Sequence, residues 1–167
     1  HRGGIGAEKL QTIAILEAEG ADLSRVIFGH SDGIAWDMAL MLEILSRGVY
    51  IQFDMLGMDN NSLFLRPLSR SIWDLTGLAQ TPQVIEALPK LIEKGYEDKL
   101  LISFDTFWSV MRGERDYTEQ DPAIATRMPI DFLNKNYFPK MLQKGISEEV
   151  IQKITCENPI KLLTFST

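Results

Sequence analysis

The chain has 167 residues, 45% of them apolar and 24% charged, a length that favours one domain and a composition that excludes intrinsic disorder. Its formal charge of −6 includes no basic cluster, which argues against a nucleic-acid partner and against docking on an anionic membrane. No apolar run approaches the roughly 20 residues that a membrane-spanning helix needs. The one cysteine, Cys156, has no internal disulfide partner, so a reducing, cytoplasmic setting is expected. The sequence opens at His1, without an initiator Met or signal-peptide character, and the expectation is a processed or truncated product.

Apolar residues at Leu10, Ile13 and Ala14, with Ala7, Leu16 and Ala18, recur at helical spacing and predict a helix over Ala7 to Glu19 closed by Gly20. Arg25 to Gly29 reads as a short buried strand that delivers His30, Ser31 and Asp32 at its C-terminal end. A second helix, Ala35 to Arg47, buries Met38, Met41, Leu42 and Leu45 and ends at Gly48. A second strand follows, Val49 to Phe53, leading into Asp54. Met55 to Gln80 is long enough to be a binding loop. Thr81 caps a helix that runs to about Lys94, with a kink at Pro89. Leu100 to Phe104 is the third strand, leading into Asp105, and a second long loop covers Thr106 to Met128. Helices are expected at Ile130 to Lys144 and from Ser147 to about Thr155. Short apolar strands alternating with helices, each strand ending at a polar residue, point to a parallel α/β sheet with its chemistry at the C-terminal strand ends. Gly3, Gly4 and Gly6 follow no strand, so no dinucleotide or phosphate-loop fingerprint is present.

Three strand ends could carry chemistry. An imidazole placed as His30 is can bind zinc through one nitrogen while the other is held by an acceptor, or it can simply hydrogen-bond its neighbours. Asp105 can ligate a metal and take a proton from metal-activated water, or it can cap its loop or pair with Arg112. Asp54 is read first as a turn-forming residue and second as a site residue. Phe64, Phe107, Trp108 and Met111 either wall an apolar substrate pocket or pack the two long loops onto the sheet.

The order of these motifs resembles the phosphotriesterase family of the amidohydrolase superfamily. Asp22-Leu23-Ser24-Arg25-Val26-Ile27-Phe28-Gly29-His30-Ser31-Asp32 is similar to that family's sixth-strand region. Arg47 to Asp54, with Gly57 and Asp59, resembles its seventh strand, and Lys94 to Asp105 its eighth. Gly145 to Pro159 resembles the C-terminal helix. The resemblance implies the C-terminal half of a (β/α)₈ TIM barrel, with strands one to four and the metal ligands they carry lying outside this chain. It also implies two divalent metals, usually zinc. His1 matches the place of the fifth-strand ligand, His30 the sixth-strand ligand, and Asp105 the eighth-strand ligand and proton acceptor. His1 would otherwise be the last residue of a purification tag.

Met55 and Gly33 stand where phosphotriesterases proper carry a histidine and a second acidic residue that relay protons, which turns the expectation away from phosphotriesters. Asp54-x-x-Gly57-x-Asp59 is closer to the lactonase branch. The resemblance therefore implies a hydrolase of lactones or esters working through metal-bound hydroxide, with Asp105 as the catalytic residue and a small-molecule substrate. The alternative is a non-catalytic binding or structural barrel, which Met55, Gly33 and Phe104 motivate. For the chain by itself, exposed sheet edges predict little activity, self-association as a homo-oligomer, or pairing with a complementing N-terminal half.

Overall fold

The computed structural model describes residues 6–56, 81–104 and 131–164. Helix α1 spans Ala7–Ala18 and ends at Gly20, whose φ of +74° is the left-handed conformation that a helix C-terminus favours and only glycine adopts without strain. The helix buries a narrower stripe than the sequence predicts: Ile13 and Lys9 are buried, Ala14 is exposed, and Ile15 is 64% exposed.

Strand β1 is only Ile27–Phe28, shorter than the expected Arg25 to Gly29. Its start is taken by a 3₁₀ turn, Leu23–Arg25, capped by the Asp22 carboxylate, which accepts the Ser24 N–H at 3.0 Å. Its end turns into a second 3₁₀ segment, Ser31–Ile34. That segment and the Asp37 cap, which accepts the Leu40 N–H at 3.0 Å, delay helix α2 to Met38–Ser46, so Ala35 lies before the helix rather than in it. Met41 and Leu45 are buried on α2, with Met38 and Leu42 packed at the edge of the core. Strand β2 is Tyr50–Phe53, helix α3 is Thr81–Glu93 with Pro89 inside it, and strand β3 is Leu100–Ile102.

The helix expected over Ile130 to Lys144 is broken in two, α4 at Phe132–Asn136 and α5 at Phe138–Gln143. Pro139 accounts for the break, since it has no N–H for the Lys135 carbonyl and its ring crowds that carbonyl. Helix α6, Glu148–Gln152, starts at Ser147, whose hydroxyl accepts the Val150 N–H at 3.4 Å. The chain stays helical well beyond the expected end near Thr155. It passes through a π turn, Lys153–Glu157, into α7, Asn158–Leu163. The wider turn accommodates Pro159, which cannot donate to the Thr155 carbonyl in a regular α-helical ladder.

The three strands are parallel in the order β1-β2-β3, with Ile27 opposite Tyr50, Ile51 opposite Leu100 and Phe53 opposite Ile102. Alternation along the strands then divides the sheet into two faces. Phe28, Ile51, Phe53, Leu100 and Ile102 join the main core with α2 and α3, through Met41, Ile44, Leu88 and Leu91. Ile27, Tyr50, Gln52 and Leu101 line the opposite face, where Gln52 donates to the Ser103 hydroxyl at 3.2 Å. The buried Asn158 amide donates to the carbonyls of Glu97 at 2.7 Å and Leu100 at 2.9 Å, tying α7 to the start of β3.

Candidate active site at the strand ends

Parallel strands in register bring their C-terminal ends to one edge, so His30 after β1 and Asp54 after β2 meet there. The Asp54 carboxylate lies 2.8 Å from His30 Nδ1 and also accepts the His30 backbone N–H, at 3.0 Å to Oδ1 and 3.1 Å to Oδ2. One carboxylate therefore holds both the ring and the backbone of the histidine. His30 itself has φ 50° and ψ 35°, the left-handed region that non-glycine residues rarely occupy. It is among the described residues the one non-glycine with positive φ.

Asp32 supports this pair from beneath. Its carboxylate accepts the Asp54 N–H at 2.9 Å and the Met55 N–H at 3.3 Å, fixing the backbone where β2 ends. Burial pushes the Asp32 carboxyl up to about 7, and the negative charge of Asp54 adds to the rise while the backbone N–H groups oppose it. Ser31, also buried, donates to the Phe28 carbonyl at 2.8 Å and closes the turn that carries His30.

Lys9 reaches this cluster from α1. Its ammonium donates to the Gly29 carbonyl at 3.2 Å and lies 5.5 Å from the centre of the Phe28 ring. Burial lowers its pKa, against the pull of the Asp54 and Asp32 charges. Space at Gly29 is tight, because a Cβ there would lie 3.0 Å from Asp54 Oδ2 and the carboxylate would have to shift to admit it.

Of the residues assigned to chemistry from sequence, His30 and Asp54 are brought together, and Asp54 is a partner of the imidazole rather than only a turn former. His1, Asp105, Arg112 and the loop residues Phe64, Phe107, Trp108 and Met111 lie outside the described residues. Among the described residues no group of three His, Cys, Asp or Glu side chains is arranged around a common point that could hold a metal ion. The donor chemistry at His30 nevertheless suits a metal: a carboxylate on one ring nitrogen fixes the tautomer that presents the other nitrogen as a ligand. Lys9 and Asp32 escaped the sequence reading. The signal for Lys9 was its position four residues before Ile13, on the buried stripe of α1.

The profile of the phosphotriesterase family matches residues 1–163. The chain belongs to this family. Curated relatives within reach of it include N-acetyltaurine hydrolases from Pongo abelii, 31% identical over 99% of this chain, and from Dictyostelium discoideum, 31% identical over 98%. The chain spans about two fifths of those relatives, 42% and 40% of their lengths. Among solved structures, a mutant of a phosphotriesterase-like lactonase from Deinococcus radiodurans superposes with a TM-score of 0.70 at 28% identity, over 95% of this chain and 45% of that one. An organophosphorus hydrolase from the same organism matches at 27% identity and the same TM-score, 0.70. The three parallel strands with their helices are thus part of a phosphotriesterase-like barrel, and the sheet edge that carries His30 and Asp54 is the end of such barrels where active sites are built.

Proposed function

We propose that the intact protein is a metal-dependent hydrolase of lactones or esters. The observation that carries the reading is the carboxylate-held imidazole at the C-terminal strand ends, Asp54 to His30 Nδ1 at 2.8 Å, an arrangement characteristic of metal-binding histidines. His30, His1 and Asp105 would hold a divalent ion, zinc on the strength of its nitrogen and carboxylate donors. Such an ion, when bound, activates water at neutral pH and polarises a carbonyl. In this scheme Asp54 keeps the His30 ring in one tautomer, and Asp32 anchors Asp54 and Met55 so that the pair does not drift. Asp105, placed after β3 by the sequence, accepts the proton released from the attacking water.

The substrate is a small molecule, and the remainder of the barrel completes the pocket. The exposed thiol of Cys156 suits a reducing, cytoplasmic setting. A second reading, hydrolysis of an N-acyl amide, is favoured by the N-acetyltaurine hydrolases among the relatives. Assays of the intact protein on a γ-lactone, an aryl ester and N-acetyltaurine separate the two. We expect turnover of lactone or ester, lowered about 10²- to 10⁴-fold by Asp105→Asn, the range typical of a lost general base. Preferential cleavage of the amide would select the second reading, and full activity in Asp105→Asn would refute the mechanism. A protein that neither binds zinc nor hydrolyses any of the three would be a non-catalytic barrel.

A further inference from the structure

A lysine is almost never fully buried without a partner, and Lys9 is 3% exposed. Its ammonium donates to the Gly29 carbonyl, one half of the peptide group that links Gly29 to His30. The other half of that peptide, the His30 N–H, is held by the Asp54 carboxylate. A single peptide plane is therefore clamped by a cation on its oxygen and an anion on its nitrogen. The next residue, His30, sits in the left-handed region, a conformation that persists only when its surroundings hold it from several sides.

We infer that Lys9 is a positioning residue for the candidate metal site: through the Gly29 carbonyl, and opposite Asp54, it fixes the peptide that aims the His30 ring. The inference rests on the proposed reading of His30 as a metal ligand. It adds a role for a residue on α1 that is neither a ligand nor an acid or base in that reading. With Lys9 neutralised, the Gly29–His30 peptide can rotate, and Asp54 loses the charge facing it. The imidazole then samples both tautomers and a wider range of ring angles.

The test uses zinc itself, titrated against a competing chelator, in the intact protein and in Lys9→Met, Lys9→Arg and His30→Gln. Removal of an interaction that orients a ligand typically weakens metal binding about 10- to 100-fold, and that loss is expected for Lys9→Met, with partial recovery in Lys9→Arg. In metal-free protein labelled with ¹⁵N-histidine, the His30 ring resonances, assigned by their absence in His30→Gln, should show one tautomer in the unaltered protein and a mixture in Lys9→Met. A purely structural lysine would lower thermal stability and leave both readouts unchanged, and that result overturns the inference. If Lys9→Met does not fold, Lys9→Gln, which keeps a donor but no charge, is measured in its place, and unaltered zinc affinity there overturns it equally. Should His30→Gln bind zinc as tightly as the unaltered protein, the reading of His30 as a ligand fails, and the role of Lys9 fails with it. A loss in His30→Gln with none in the Lys9 variants removes the role of Lys9 alone.

Discussion

At the scale of single residues, the tightest constraint near the site is the space at Gly29. A methyl group there would stand 3.0 Å from Asp54 Oδ2, closer than carbon and oxygen ordinarily pack, so the carboxylate must give way by a few tenths of an ångström. That carboxylate is the group holding His30, and the displacement passes directly to the ring. Gly29→Ala is therefore expected to weaken zinc binding by about tenfold while costing little thermal stability, since Gly29 follows the last residue of β1 and the strand pairing at Ile27 and Phe28 is kept. Calorimetric zinc titration beside a melting curve checks both halves; an unaltered zinc affinity would show that the carboxylate can move without consequence. Sequence reasoning found His30 because a histidine after a β-branched strand is conspicuous. It undervalued Asp54, since an aspartate before a loop has many uses, and its pairing with His30 depends on strand register rather than on local sequence. Asp32 was hidden for the same reason: its partners, the N–H groups of Asp54 and Met55, lie more than twenty residues away.

At the scale of elements, the parallel strands and the helices before Gly20 and Gly48 were legible, because hydrophobic period and glycine stops are local signals. The breaks were not. Pro139 and Pro159 were visible as letters, but whether a proline kinks, splits or is absorbed by a π turn depends on what packs around it. The two ends of the described chain are joined by Arg25, whose guanidinium donates to the carbonyls of Leu162 at 2.7 Å and Thr164 at 2.9 Å, where α7 runs out of partners for its last carbonyls. Arg25→Ala should cost about 1–2 kcal/mol, at the lower end for charged donors because the group is partly solvated. Urea denaturation would measure it, and because a single guanidinium nitrogen, Nη1, donates both bonds, Arg25→Lys should recover part of the loss, the shortfall coming from the stronger hydration of an ammonium. A second tie, between α3 and α5, is electrostatic: the Lys144 ammonium hydrogen-bonds Glu86 and holds that carboxyl below its ordinary value of 4.5. A depressed folded pKa means that the contribution is complete above about pH 4.5 and is lost as pH falls through the folded value. The melting temperature of Lys144→Ala should therefore lie slightly below that of the unaltered protein at pH 6, and the gap should close in acid and in high salt. A gap that did not narrow at all as the pH fell below 4.5 would place the effect in packing instead.

At the scale of the whole molecule, the two faces of the sheet are unequally finished. The face towards α2 and α3 is closed, with Ile51, Phe53 and Leu100 fully buried. On the opposite face Tyr50 and Leu101 are covered by Leu162 of α7, which folds beneath the strand starts, yet Ile27 remains 37% exposed. In a closed barrel that face is the interior, filled by layers of side chains from alternate strands. Among the described residues β1 and β3 each pair with one neighbour only, whereas in a closed barrel each of these two edges pairs with a further strand. Taken by itself, the 167-residue chain should satisfy them with copies of itself, since unpaired edges beside apolar surface are templates for association. Light scattering on the isolated chain is expected to give a mass well above the monomer, reduced by Ile27→Lys, which places a charge on the inner face. Co-expression with a polypeptide supplying the other strands of a related barrel should suppress the association without any substitution. A monodisperse monomer in the isolated chain would mean that the inner face is closed by residues of the chain itself, and the edge argument would then be wrong.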